Sequence, residues 1–118
     1  MEIPKRGEIW VVQLDPAIGS EIKKTRPAII MSNNINNEHS DTVTVIPITS
    51  STQTIYPFEI VLHAGEGGLK YESKAKANQI RTIDKRRLVE VMGAISAEKI
   101  SALEHALALH LDLNIGKM

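Results

Sequence analysis

The segment GSEIKKTRP, residues 19–27, carries the side chains best suited to chemistry on a phosphate ester. Arg26 directly precedes Pro27, and a residue before proline is biased toward extended backbone, so we expect Arg26 to begin a strand. A guanidinium fixed on a strand can hold a phosphate through two parallel hydrogen bonds and stays charged at any working pH. The structural alternative is a salt bridge between Arg26 and Glu21.

A run of four hydroxyl residues, Thr49 to Thr52, closes a predicted strand in the middle of the chain. Such runs more often cap or turn the backbone than take part in catalysis. Thr49 and Ser50 become candidates for hydrogen bonds to a phosphate only if the fold brings them close to Arg26.

The segment KANQIR, residues 76–81, combines amides with cations. The side-chain amides of Asn78 and Gln79 can read the edges of bases, and Arg81 can pair with a phosphate or with a base. The competing explanation is that an inward-facing amide ties down a turn.

Charge is unevenly distributed along a chain whose formal net charge is zero. The stretch from Lys70 to Val89 holds seven cations against two acids, or +5, and the stretch from Glu21 to Arg26 adds three against one, or +2. A neutral total argues mildly against a nucleic-acid partner, whereas two basic segments argue for one. Ordinary solvated surface is the alternative explanation for these cations.

Several classes of protein lack support in the sequence. There is no cysteine, and the four histidines do not show the spacing of a metal site, so no metal ion is predicted. No glycine-rich phosphate loop or nucleophile elbow appears, and no cofactor is predicted. The apolar runs are far shorter than the roughly 20 residues of a membrane span, and the amino terminus lacks the pattern of a signal peptide. We therefore expect a cytoplasmic protein without membrane association.

Hydrophobic patterning predicts one mainly β domain over residues 1–118. Short alternating or β-branched runs separated by turn residues predict a small antiparallel barrel or sandwich. Pro47 within one run predicts an edge strand or a bulge, because proline cannot donate to a ladder. The strands are expected within residues 7–14, 27–31, 42–49, 57–63, 73–83 and 87–95.

The end of the chain changes from strand to helix periodicity. Ser96 is a plausible N-cap, and Glu98 falls in the first turn. An amphipathic helix of about four turns is predicted, and its apolar stripe either closes one side of the barrel or pairs with a second chain. The stripe consists of Ile100, Leu103, Leu107 and Leu111, with Ala106 beside them.

Aromatic residues, which stack on unpaired bases, are scarce in this sequence: one Trp, two Tyr and one Phe. Trp10 lies within an apolar strand and is expected in the core. Tyr56 and Phe58 flank Pro57 near the start of a strand, so one of them could face a groove.

These segments together resemble the MazF/PemK/Kid toxins of toxin–antitoxin operons. The matching pieces are GEIWVVQLDPAIGSEIKKTRPAIIMSN, VIPITS and KANQIRTIDKRRL, followed by the terminal helix, in the order of the family. The resemblance implies an SH3-like antiparallel β-barrel with a carboxy-terminal helix, of the CcdB/PemK-like type, and a homodimer. It also implies cleavage of single-stranded RNA at a short sequence, and a MazE-like antitoxin whose acidic tail occupies the RNA groove.

Site roles follow from the same resemblance. Arg26 would bind the phosphate and stabilise the transition state, with Thr49 donating to the same phosphate. An arginine is a poor base at neutral pH, so Glu21 is the hypothesis for the group that accepts the 2′-OH proton. The RNA-contact positions would be Ser20, Lys24, Ser50, Asn78, Gln79 and Arg81.

One departure and two alternatives accompany this reading. Some Kid-like relatives use an arginine and an aspartate where Lys76 and Asn78 stand here, and a histidine that the first loop lacks, so the chemistry is assigned to Arg26 and Thr49.

CcdB-like toxins use the same barrel to bind gyrase without nuclease activity. An inactivated toxin that serves only to bind an antitoxin is the other alternative.

Overall fold

Seven strands and two helices make up the fold in a computed structural model that describes residues 2–114; Met1 and residues 115–118 of the predicted domain lie outside them. The strands are β1 (Glu8–Gln13), β2 (Thr25–Ile30), β3 (Thr42–Thr49), β4 (Glu59–Leu62), β5 (Ser73–Lys76), β6 (Arg81–Asp84) and β7 (Leu88–Ala94). The helices are α1 (Asn34–His39) and α2 (Ala97–Leu111), and 3₁₀ turns occupy Glu66–Gly68, Ala77–Gln79 and Lys85–Arg87.

The strands form one antiparallel sheet in the order β4-β5-β3-β2-β1-β7, with β6 also paired to β3. The prediction of a mainly β fold with a carboxy-terminal helix is confirmed, but the sheet is not a closed barrel. It ends at β4 on one side and at β7 on the other. In place of a β4–β7 ladder, the turn Glu66–Gly68 packs against β7: a Cβ built on Gly93 would lie 2.7 Å from the backbone of Gly67.

Both faces of the sheet are buried, and the two-residue period of a strand sends neighbouring side chains to different cores. Ile9 belongs to the core that Leu103 and Ala106 of α2 cover. The next residue, Trp10, is 2% exposed and packs in the second core with Val12, which confirms its predicted burial.

β3 is the central strand of the sheet, although Pro47 predicted an edge or a bulge. One side of β3 pairs with β2, with Pro47 opposite Ala28. On its other side the partner changes from β6, whose last pair is Val45–Arg81, to β5, whose first pair is Ile48–Ala75. Pro47 lies in this interval between two partners, so the edge prediction is wrong and the missing N–H falls at an irregularity of the ladder.

Two local predictions are corrected by the structure. The strand predicted over residues 73–83 is divided into β5 and β6 by the 3₁₀ turn Ala77–Gln79. The predicted loop after β2 contains α1, whose sequence NINNEH has little intrinsic helix propensity. Its N-cap, Asn33, accepts a hydrogen bond from the Asn36 amide, and its Asn37 is fully buried. Side-chain hydrogen bonds therefore stabilise a helix that periodicity does not indicate.

The terminal helix α2 begins as predicted, because the Ser96 hydroxyl accepts a hydrogen bond from the Lys99 amide at 3.2 Å. Leu103 is fully buried beneath the helix, and Ile100 and Leu107 pack beside it on the same core. Leu111, the last residue of the predicted stripe, is 47% exposed. The helix thus covers one side of the sheet. Neither helix within residues 2–114 is long and apolar enough to cross a membrane.

Candidate active site

Arg26 and Thr49 lie at corresponding positions on adjacent strands. The β2–β3 ladder ends at the pair Ala28–Pro47. Two residues further along each strand, the same register brings Arg26 opposite Thr49. Both side chains line one depression of about 310 Å³, so the fold joins residues that are 23 positions apart in the sequence.

This first depression, named here the Arg26 depression, has a polar side and an apolar side. Its polar side comes from β2, the loop before it and the end of β3, and includes Lys24, Arg26, Thr49 and Ser50. The other wall comes from the connection between β4 and β5, from the start of β5 and from β7, and consists of Leu69, Lys70, Tyr71, Ser73 and Met92.

The donor geometry at Arg26 suits an anion. Its Nε donates a hydrogen bond to the Lys23 carbonyl at 2.7 Å, which fixes the guanidinium plane. Within residues 2–114 the two Nη groups make no hydrogen bond, and no ion pair joins Arg26 to Glu21. The salt-bridge alternative for Arg26 is therefore absent from the described structure, and the Nη donors can bind a phosphate.

Thr49 is oriented by the turn that follows it. Its Oγ1 accepts a hydrogen bond from the Ser51 amide at 3.2 Å. A hydroxyl that accepts through oxygen still has its own hydrogen to donate. The turn function expected of this hydroxyl run and a bond from Thr49 to an anion are thus compatible.

The remaining predicted residues line a second depression of about 370 Å³, the Gln79 depression. The loop between β1 and β2 forms one wall, and the turn Ala77–Gln79 with the start of β6 forms the other. Its lining consists of Ile18, Ser20, Glu21, Asn78, Gln79, Ile80 and Arg81.

Gln79 joins the two walls of the Gln79 depression. Its Oε1 accepts from the Ile22 amide at 3.3 Å, and its Nε2 donates to the Ser20 carbonyl at 3.4 Å. Glu21 stays within its own loop, where Oε1 accepts from the Ile18 amide at 2.6 Å. The side-chain amide of Gln79 therefore makes the structural contacts that were the alternative to reading a base. These contacts hold the loop that carries Ser20 and Glu21.

Asn78 and Arg81 differ in how their polar atoms are used. Asn78 lines the Gln79 depression, but its Oδ1 is buried and has no hydrogen-bond partner among the described residues. Arg81 donates from Nη1 to the Leu14 carbonyl at 3.2 Å. Part of its guanidinium therefore supports the end of β1.

The structure accordingly sorts the nine predicted site residues into two groups. Lys24, Arg26, Thr49 and Ser50 meet in the Arg26 depression, whereas Ser20, Glu21, Asn78, Gln79 and Arg81 meet in the Gln79 depression. Glu21, the hypothetical base, lines a different depression from the arginine and threonine that it would assist.

The apolar wall of the Arg26 depression contains residues that sequence reasoning did not assign to the site. Tyr71 is 69% exposed and offers an aromatic face beside the phosphate-binding side chains. Lys70 and Tyr71 follow the Gly-rich turn of the β4–β5 connection, and this position was the only signal available. No sequence motif surrounds Met92, because its contact with the site arises from the packing of β7.

Most cations of the basic segment are bound within the protein. Arg87 donates from Nη1 to the Gln13 carbonyl at 3.0 Å and also to the carbonyl of Asp15. Arg86 donates two side-chain hydrogen bonds to Asp84 and thereby lowers the pKa of that carboxyl. Lys74 is buried in an ion pair. Of the seven cations, Lys70 is the one that lines the Arg26 depression.

The described residues show no group of three or more histidine, aspartate or glutamate side chains placed to share a metal ion. The Arg26 depression offers a guanidinium, two lysines and hydroxyls beside an apolar wall, and the Gln79 depression offers two amides, a carboxylate and a second guanidinium. The fold and these side chains together indicate a small β protein with a surface that can bind the phosphodiester backbone and the bases of a nucleic acid.

Comparison with known proteins identifies the family. Residues 5–111 match the model of the PemK-like, MazF-like toxins of type II toxin–antitoxin systems. The chain is 45% identical over 114 residues to the endoribonuclease MazF9 of Mycobacterium tuberculosis, covering 92% of this chain and 97% of that protein. The chain therefore belongs to the PemK/MazF toxin family, as its sequence motifs predicted.

Solved structures agree with this assignment. The crystal structure of MazF from Deinococcus radiodurans superposes with a TM-score of 0.84 at 26% identity, covering 95% of this chain and 99% of that one. An endoribonuclease from a mycobacterial species, in complex with its cognate antitoxin, superposes with a TM-score of 0.77 at 25% identity and covers 93% and 96%.

Proposed function

We propose that this chain is a sequence-specific endoribonuclease toxin of a type II toxin–antitoxin system that cleaves single-stranded RNA, mainly messenger RNA, and thereby inhibits translation and growth. The observation that carries the proposal is that Arg26 and Thr49 line one depression. Family membership and 45% identity to a named endoribonuclease support the activity. The family match also favours this reading over the gyrase-binding alternative.

The proposed reaction needs geometry and charge from the protein. The ribose 2′-oxygen attacks its own phosphorus, the bond from phosphorus to the 5′-oxygen breaks, and the products are a 2′,3′-cyclic phosphate and a free 5′-OH. Arg26 Nη groups and the Thr49 hydroxyl hydrogen-bond the phosphate oxygens as negative charge accumulates on them. Such preorganised donors commonly supply a factor of about 10² to 10³ each.

Two protons move during this reaction. The 2′-OH loses one, and the departing 5′-oxygen gains one. We assign the first transfer to the carboxylate of Glu21, since an arginine stays protonated at neutral pH and is therefore a poor general base. The two depressions would then act together, with the scissile phosphate in the Arg26 depression and the ribose that carries the attacking 2′-OH directed toward Glu21 in the Gln79 depression.

Recognition of the RNA sequence is assigned to the Gln79 depression. Asn78 lines this depression, and a side-chain amide can pair with the edge of a base. Ser20 and Gln79 add polar groups beside it, while Lys24 and Ser50 contact the backbone of the RNA in the Arg26 depression. Arg81 contacts RNA with the part of its guanidinium not used by Leu14.

We further propose that the chain acts as a homodimer in the cytoplasm and is restrained by a MazE-like antitoxin. A related endoribonuclease has been solved with its cognate antitoxin, which supports a partner of this kind. An acidic antitoxin tail would compete with RNA for the same cations, because both present negative charge to Lys24, Arg26 and Lys70.

The experiment that tests the proposal is cleavage of a long single-stranded RNA by the purified protein in excess EDTA, with fragment ends read by sequencing. We expect cuts at one short motif with cyclic-phosphate ends. Arg26→Ala should lower kcat by about 10² or more without loss of folding. Thr49→Val should slow the reaction, and Thr49→Ser, which keeps the hydroxyl, should restore it.

The controls separate the named site from general damage. Arg86→Ala removes an exposed arginine that pairs with Asp84 outside both depressions, so its cleavage rate should match that of the unmodified protein. Equal rates for Arg26→Ala and Arg86→Ala would contradict the assigned site. Intact RNA at every protein concentration would instead favour an inactive, antitoxin-binding module.

A further inference from the structure

A buried ion pair lies next to Thr49 in the sheet. Lys74 is the partner of Thr49 in the β3–β5 ladder, and its Nζ is 2.9 Å from Oε1 of Glu59. The Lys74 and Glu59 side chains are only 8% and 1% exposed. A buried ion pair adds little net stability compared with apolar residues of similar size. We therefore consider which backbone groups this ion pair holds in place.

The pair binds the backbone of the connection between β3 and β4, residues 50–58. Lys74 Nζ donates to the Thr54 carbonyl at 2.6 Å. The Tyr56 amide donates to Glu59 Oε1 at 2.9 Å, and the Tyr56 ring lies 5.7 Å from Lys74 Nζ. Each charged group thus makes a charge-assisted bond to the connection, and such bonds are stronger than neutral ones.

The carboxylate of Glu59 depends on one of its two oxygens for these contacts. Oε1 takes the bonds from Lys74 and Tyr56, whereas Oε2 is buried without a hydrogen-bond partner among the described residues. Lys76 Nζ lies 3.9 Å from Oε2. The position of the carboxylate, and with it the Tyr56 amide, is therefore set mainly by Lys74.

The connection 50–58 joins the lining of the Arg26 depression to the turn that lines the Gln79 depression. It starts at Ser50, which lines the Arg26 depression. It ends at Phe58, whose carbonyl accepts from the Ala77 amide at 3.2 Å, in the turn that carries Asn78 and Gln79. Between these ends Tyr56 is 51% exposed and stacks on Phe58, with ring centroids 5.5 Å apart. An RNA strand that occupies both depressions would pass along this connection.

We infer that Lys74 and Glu59 are positioning residues for RNA. They hold the connection 50–58 in the conformation that the RNA strand contacts between the two depressions. They thereby determine KM and the preferred cleavage sequence. The inference rests on the proposed function, because RNA must occupy these depressions. Neither side chain touches the substrate; each acts through the backbone at Thr54 or Tyr56.

The test uses the double variant Glu59→Gln/Lys74→Met, which removes both buried charges at similar volume. Lys74→Met alone would leave a buried carboxylate without its partner, and such a chain can fail to fold. In the double variant the Gln oxygen can still accept from Tyr56, whereas the Thr54 carbonyl loses its donor. We expect a folded protein with KM raised about tenfold, kcat changed less than about twofold and a broadened cleavage motif.

A matched control is available in Arg6, which makes the same kind of contact elsewhere. Its Nε donates to the Met31 carbonyl at 2.9 Å, and its Nη2 lies 3.0 Å from Glu104 Oε2. Arg6→Met therefore removes a cation–carbonyl bond beside a carboxylate without touching the connection 50–58 or the lining of either depression. We expect its KM and cleavage motif to equal those of the unmodified protein.

Amide hydrogen exchange of residues 50–58 and the Kd for an uncleavable RNA are measured on the same variants. Faster exchange with unchanged KM, Kd and motif would overturn the inference, as would unchanged exchange. If the double variant fails to fold, Glu59→Gln alone is measured, with a rise of about threefold expected in KM and an unchanged KM overturning the inference. Failure of the proposed function would be recognised separately, because Arg26→Ala would then cleave RNA at the unmodified rate. In that case the Kd values of the same variants still decide whether Lys74 and Glu59 position RNA.

Discussion

Arg26 shows how one residue acquires a role from its neighbours along the chain and across the sheet. Pro27 biases its backbone to a strand, the Lys23 carbonyl fixes its Nε, and the β2–β3 register brings it opposite Thr49. The first of these causes is visible in the sequence. The other two depend on a loop conformation and on a strand pairing between residues far apart in the chain.

The role of Glu21 gives a prediction at the same scale. Glu21→Gln keeps an oxygen that can accept from the Ile18 amide, so the loop contact survives while the carboxylate is lost. If Glu21 accepts the 2′-OH proton, kcat should fall by about 10² or more, as for the loss of a general base. Single-turnover cleavage with saturating protein measures this directly.

The matched control is Glu98→Gln, which neutralises an exposed carboxylate in the first turn of α2. Its kcat should stay at the unmodified value. A Glu21→Gln protein that cleaves as fast as this control would remove Glu21 from the mechanism and restrict it to the Gln79 depression, where the structure places its side chain.

At the scale of elements, the turn Glu66–Gly68 determines the apolar wall of the Arg26 depression. The turn is followed by Leu69, Lys70 and Tyr71, which line that wall, and it is held against β7 by contact between the backbones of Gly67 and Gly93. Gly67 itself has a φ of 57°, a left-handed conformation that glycine adopts without strain.

Gly93→Ala tests this packing. The added Cβ would lie 2.7 Å from the carbonyl carbon of Gly67, and since the obstacle is backbone, no side-chain rotation relieves it. We expect a loss of about 1–3 kcal/mol in the free energy of unfolding, as for other overpacked sites, and a weaker binding of RNA because the wall is displaced. Urea unfolding and RNA titration give the two values.

Ala94→Val is the control for added bulk on the same strand, because Ala94 is exposed. Its free energy of unfolding in urea should stay within about 0.5 kcal/mol of that of the unmodified protein, as is usual for surface changes. An equally stable Gly93→Ala protein would mean that the turn and β7 can separate, and that the wall of the depression is not fixed by this contact.

Elements also show which parts of the fold were predictable. β1, β3, β7 and α2 have clear two-residue or helical periodicity, and their positions were anticipated to within a few residues. The turn Ala77–Gln79 was hidden, because SKAKANQIRTI contains no glycine or proline to mark a break. Helix α1 was not predicted because it is stabilised by the side-chain hydrogen bond of Asn33 and by the buried Asn37. Hydrophobic periodicity does not indicate such contacts.

For the candidate site, the sequence motifs supplied the polar residues but not their grouping. Two depressions, rather than one, result from the way the β1–β2 loop folds onto the turn at Gln79. The contribution of Met92 and the open sheet likewise depend on long-range packing between the β4–β5 connection and β7. Strand closure is a property of the whole sheet, which local patterning does not encode.

At the scale of the whole molecule, the distribution of charge differs from what the sequence suggests. The basic stretch from Lys70 to Val89 sums to +5. In the folded chain, however, Lys74, Arg81, Arg86 and Arg87 bind acceptors within the protein. The cations that line the Arg26 depression are Lys24, Arg26 and Lys70, which come from two different parts of the chain.

This distribution predicts a modest dependence of RNA binding on salt. Each cation that neutralises a phosphate of a single strand adds about −0.7 to the slope of log K against log salt, so the cations of the Arg26 depression give about −2 for each site. If the whole basic segment met phosphates, the slope would be about −5. Titration of an uncleavable RNA between low and physiological salt distinguishes the two values.

Single variants identify which lysines and arginines set that slope. Lys70→Gln should make it shallower by about 0.7, because one counterion fewer is released. Arg86→Gln should leave it unchanged, since Asp84 already binds that guanidinium. A slope near −5 that becomes shallower with Arg86→Gln would show that the basic segment releases its internal partners when RNA binds, and that the ion pair with Asp84 is exchanged for a phosphate.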